Sequence, residues 1–84
     1  MGRHNPVESP RPDDVMTVMT RPDDQGPQRR IRVVVTGRSW RAGKFGGRIH
    51  LVLVADDNGE ERIFDLAWWR TYAAKPKPEG GNHV

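Results

Sequence analysis

Three stretches of this chain alternate apolar and polar residues with a period of two, the pattern of half-buried strands. In the first, Ile31, Val33 and Val35 alternate with Arg30, Arg32, Val34 and Thr36. In the second, Ile49, Leu51 and Leu53 share one face, and Arg48, His50, Val52 and Val54 the other. The third runs through Ile63 and Phe64 and is joined to the second by Asp57-Asn58-Gly59-Glu60. Asn-Gly favours a two-residue type I′ turn, because both central positions need positive φ. Such a turn sets the pairing: Ala55 opposite Arg62, Leu53 opposite Phe64, Leu51 opposite Leu66. Leu51, Leu53 and Phe64 then share the core face, with Val52, Val54 and Ile63 opposite.

Beyond Phe64 the period changes. Asp65 is a cap residue, and Leu66, Trp69 and Ala73 fall on one helical stripe with Trp68 and Tyr72 beside it. Lys75 suits a helix C-terminus and Pro76 ends it, so a helix is expected over 66–75. A strand continued to Trp68 is the competing reading. Trp68, Trp69 and Tyr72 read first as core, and an exposed Trp among them reads as a protein-contact anchor.

Upstream, VMTVMT (15–20) lies between two copies of Arg-Pro-Asp-Asp (11–14 and 21–24). Each Pro-Asp-Asp suits a turn, and the segment between them reads as an edge strand or a docking segment. The expected organisation is an acidic, Pro-rich arm over 1–28, disordered or loosely docked. A β-rich domain follows over 29–75, and a disordered tail over 76–84. The fold class is α+β: a small three-stranded antiparallel β-meander with a short C-terminal helix, flanked by disordered arms. Val34, Val52, Val54 and Ile63 would leave an apolar strip on the second face. Either VMTVMT covers it or a second copy does, which makes a homodimer one expected arrangement.

Charge changes this picture. The net +3 of the 84 residues conceals −2 over 1–27, +7 over 28–55, −3 over 56–72 and +1 thereafter. From Arg29 to Arg48 there are seven cations and no acid, with Trp40, Phe45 and four glycines. Arg outnumbers Lys eleven to three, and guanidinium groups suit bidentate contacts to phosphates and bases. Cations on one hairpin release counterions from a polyanion, and aromatic side chains stack on bases or wedge a base step. The expected function is therefore nucleic-acid binding, DNA ahead of RNA, in a regulatory or accessory role. Arg30, Arg32, Arg38, Arg41, Lys44 and Arg48 would meet phosphates, and Trp40 and Phe45 the bases. A second reading makes this a solvated face whose charges pair with Asp56, Asp57, Glu60 and Glu61.

Trp40-Arg-Ala-Gly-Lys-Phe45 is similar to a Trp-Arg-x-Gly-Lys turn of small archaeal chromatin proteins. Three strands followed by a helix also resemble other DNA-binding domains that read DNA with a sheet. The first resemblance covers six residues, and neither assigns a family.

Other chemistry is not signalled. Gly37–Lys44 has five residues between its glycines and Phe45 after the lysine, followed by a strand, so it is not a Walker loop. His4, His50 and His83 lack metal-ligand spacing, and there is no Cys. The adjacent acids point apart, and Ser39 has no evident base, so no catalytic residue, metal or cofactor is expected. The longest apolar run, Leu51–Ala55, is too short to cross a bilayer, and the N-terminus lacks an apolar leader segment. A cytoplasmic location is expected. The alternative function is a protein–protein interaction module, such as a small phage- or plasmid-type inhibitor or adaptor, meeting an acidic protein surface.

Overall fold

A computed structural model describes residues 4–22 and 26–76. Four antiparallel strands, β1 (Val15–Met19), β2 (Arg30–Ala42), β3 (Arg48–Asp56) and β4 (Glu61–Asp65), form one curled sheet in the order β1-β2-β3-β4. A short helix, α1 (Leu66–Tyr72), packs on one face. The sheet thus has four strands where three were expected. The fourth is the VMTVM segment, whose period-two pattern buries Met16 and Val18 and pairs Val18 with Ile31.

The Asn-Gly turn is not the two-residue type expected. Asp56 N–H donates to the Glu60 carbonyl (3.0 Å) and Gly59 N–H to the Asp56 carbonyl (2.9 Å). Only Gly59 has positive φ, at 79°. This is a three-residue loop, a type I turn closed by a left-handed glycine. The pairing is therefore one residue off the expected register: Val52 faces Phe64, Leu53 faces Ile63 and Val54 faces Arg62. A slip of one residue exchanges the two faces of a strand. Val52 and Val54 are core residues, while Leu51 and Leu53 lie half-buried on the other face. Side-chain hydrogen bonds explain the longer loop. Asp56 Oδ1 accepts from the N–H groups of Asn58 (2.9 Å) and Glu60 (3.0 Å), and Oδ2 accepts from Arg62 Nε (3.2 Å). Burial works against the ionised Asp56 carboxylate. The Glu60, Arg62 and Asn58 hydrogen bonds and the Arg62 charge outweigh it and hold its pKa below the ordinary value.

Met16, Val18, Val33, Val35, Val52, Val54, Phe64, Trp69 and Ala73 form the core. Its largest member is Trp69, whose indole N–H donates to the Pro6 carbonyl (2.8 Å) and so fixes the N-terminal segment across the sheet. The helix expected over 66–75 is present and ends at Tyr72. Asp65 Oδ1 caps it by accepting from Trp68 N–H (2.7 Å). Ala74 then pairs with Thr17, so the chain returns to the open edge of β1. A further turn at Arg11–Asp14 sets the entry to β1. Asp14 N–H donates to the Arg11 carbonyl (3.1 Å), and Asp13 takes φ 76°, as a type II turn after Pro12 requires. The second Arg-Pro-Asp-Asp lies partly outside the described residues, as does the tail expected over 76–84. Among the described residues no helix is long and apolar enough to cross a membrane.

The strip on the second face is differently composed than expected. Val34 and Ile63 are there, 38% and 58% exposed, but Val52 and Val54 are not. Val15, Leu51 and Leu53 take their place.

Candidate nucleic-acid interface

β2 and β3 outrun their neighbours. β1 pairs only with Arg30–Val34 of β2, and β4 only with Leu51–Ala55 of β3. The remaining three rows, Trp40 opposite His50, Arg41 opposite Ile49 and Ala42 opposite Arg48, form a two-stranded ribbon. At about 3.4 Å per residue these rows carry the turn roughly 10 Å beyond the last row that β4 flanks. The glycine-containing run over 37–47 is thus mostly strand, and only Gly43–Gly47 turns. Gly43 N–H donates to the Gly47 carbonyl (2.7 Å) and Gly46 N–H to the Gly43 carbonyl (3.3 Å), with Gly46 at φ 92°. Lys44 and Phe45 sit at the apex, and Phe45 is 99% exposed.

A β-bulge decides which cations share a face. Val35 pairs with Val54 but Gly37 pairs with Leu53, so Thr36 is an extra residue. An inserted residue reverses the alternation beyond it. Arg30 and Arg32, before the bulge, lie on the face away from α1, alongside Val34. Arg38 and Trp40, beyond it, share the helix-side face with Val52 and His50. Arg48 joins them, its guanidinium 4.4 Å from the centre of the Trp40 ring. Arg41 returns to the opposite face, across from Ile49. Arg30 and Arg32 therefore share no face with Arg38, Arg48 and His50. Arg32 and Arg41 are nine residues apart on one strand, about 30 Å.

The eight expected contact residues therefore fall into two groups. Trp40, Arg41, Lys44, Phe45 and Arg48 are gathered on the ribbon, with Arg38 at its base opposite Val52. Arg30 and Arg32 are not. Arg30 has structural duties, donating to the Tyr72 carbonyl (3.0 Å) and to Thr17 Oγ1 (3.2 Å). Arg38 is also engaged, donating to the Pro10 carbonyl (3.2 Å) and the Leu51 carbonyl (3.3 Å). Arg41 and Lys44 make no side-chain hydrogen bond or ion pair among the described residues. The acids expected to neutralise the basic stretch are engaged elsewhere or distant from the ribbon. Asp56 binds Arg62, and Glu60 lies 4.0 Å from it.

His50, absent from the expected contact residues, lies across from Trp40 on the ribbon. Its position on β3 beside Arg48 was the available signal. A shallow pocket of about 450 Å³ opens beside it, lined by Arg48, Ile49, His50, Asp65, Leu66 and Arg70. Among the described residues no three of His, Cys, Asp or Glu are gathered to hold a metal ion. In comparisons with protein-family models, curated proteins and solved structures, nothing matches this chain.

Proposed function

We propose that this chain is a small DNA-binding protein of regulatory or accessory role that engages its ligand through the β2–β3 ribbon. The observation that carries the reading is the ribbon's composition. Arg41, Lys44 and Arg48 project from three paired rows and a turn, with Arg38 at their base and no acid among residues 38–50, and a bare Phe45 stands at the tip. Phosphate neutralisation supplies the affinity and makes it fall with salt. Trp40 holds the Arg48 guanidinium broadside by a cation–π contact, which orders a long side chain before a ligand arrives. The role is one of binding, without catalytic chemistry. The test is a gel-shift titration over a salt series: affinity should drop steeply as salt rises. Failure to bind DNA or RNA at low salt overturns the reading.

A second reading, a protein–protein module, draws on the face away from α1. Val15, Val34 and Ile63 are exposed there beside Arg30 and Arg32, an apolar strip with a basic margin that suits a partner with an acidic rim. A stoichiometric protein partner recovered after nuclease treatment would favour this reading over the first.

A further inference from the structure

Resting on the DNA-binding reading, we infer that the ligand is duplex DNA. The ribbon enters the major groove and Phe45 meets a thymine methyl at its floor. Three observations converge on this. The first is the distribution of charge. On the ribbon, Arg48 lies on the helix-side face with Trp40, Arg41 on the other and Lys44 at the apex. A sheet laid flat on a ligand uses the cations of one face. A ribbon standing in a groove has a phosphate wall on each side and uses both.

The second is size. Paired strands lie about 4.8 Å apart, and the major groove, about 12 Å wide and 8.5 Å deep, admits a two-stranded ribbon. The roughly 10 Å reach of the ribbon exceeds that depth, so the tip reaches the base edges while the rest of the sheet stays outside. The major groove of an RNA duplex is too narrow for this, which places DNA ahead of RNA.

The third is the aromatic inventory. A single strand tracks along a series of bare rings on one surface. Here one face of Trp40 is taken by Arg48, and Phe45 alone is fully bare. A lone apolar ring at the apex of a cationic ribbon matches the thymine methyl, the apolar group of the major groove.

The experiment is a fluorescence-anisotropy titration of the whole protein against an alternating adenine–thymine duplex. The companions are the same duplex with uracil for thymine and its single strand, each repeated with Phe45→Ala. The duplex should bind at least tenfold tighter than the single strand. Replacing thymine by uracil should weaken wild-type binding by about fourfold, the value of one buried methyl. It should leave Phe45→Ala unchanged. Single-strand binding as tight as duplex binding, or a uracil effect that is absent in wild type or persists in Phe45→Ala, overturns the inference and leaves the DNA-binding reading standing. No binding to duplex or single strand overturns both.

Discussion

The β2–β3 and β3–β4 hairpins are built on one backbone device and are used differently. Gly43–Gly47 and Asp56–Glu60 are both three-residue loops closed by a left-handed glycine, Gly46 at φ 92° and Gly59 at φ 79°. At the second, the Asp56 carboxylate accepts from two loop N–H groups and from Arg62, and the loop lies on the four-stranded body. At the first, no side-chain hydrogen bond ties the loop, and Phe45 and Lys44 point outward. Equal turns thus serve unequal ends. One fixes a register on which the core depends, and the other presents side chains at the end of a ribbon.

If that contrast holds, stability belongs to the body and is insensitive to the ribbon tip. The largest effect is expected where the body is most committed. Trp69→Ala should cost about 3–5 kcal/mol, enough to unfold much of a small domain at room temperature by chemical denaturation. Next come the two glycines. Gly59→Val should lose roughly 1–2 kcal/mol, because a β-branched residue is strained at positive φ. Gly46→Val, equally strained, should leave the denaturation midpoint nearly unchanged and act on the ligand titration, since its turn can deform alone. Equal losses of stability would break the comparison.

Asp56→Asn removes an ionised acceptor and should lower the thermal midpoint by less than Gly59→Val. It should also change the acid limb. Because the folded carboxylate has a depressed pKa, its contribution is present above the unfolded value and lost as pH falls through the folded one. The wild type should therefore lose stability below about pH 3.9, with a shallower loss in Asp56→Asn. Asp14 adds to the same limb. Burial disfavours its charge, but the His4 hydrogen bond (2.7 Å), the Arg11 N–H and the charges of both residues prevail and depress its pKa. The smallest effect is expected at the tip: Phe45→Ala should change stability by under about 0.5 kcal/mol while weakening duplex binding.

The sequence discloses these regions unequally, for physical reasons. The strand over 30–35 and the capped helix at Asp65 follow from local pattern, because each has one apolar face and a distinct end signal, whereas Val15–Met19 is legible only as an edge strand or a docking segment. The extent of β3 also follows, but its orientation does not, since Ile49, Leu51, Leu53, Val52 and Val54 are apolar on both faces. Its orientation then rests on the turn, and the Asp56 side chain selects a loop one residue longer than Asn-Gly favours by itself. The Thr36 bulge was equally hidden. Its trace is Gly37 within an alternating run, a residue that marks a bulge as readily as a loop start. Both signals concern a single residue, and each exchanges the faces of a strand. The cations of the ribbon could therefore be named from the sequence before their sides were known.

The central claim, that the ribbon and not the start of β2 binds nucleic acid, is tested most directly by salt-dependent anisotropy on three proteins. These are the wild type, the Arg41→Ala/Lys44→Ala/Arg48→Ala variant and the Arg29→Ala/Arg32→Ala variant, all checked for equal thermal midpoints. Each lost phosphate contact should flatten the dependence of log affinity on log salt by about 0.9. The ribbon variant should lose roughly 2.7 from the slope and most of its low-salt affinity, and the β2 variant should stay close to wild type. Equal losses in the two variants, or binding that survives in the ribbon variant, would contradict the account.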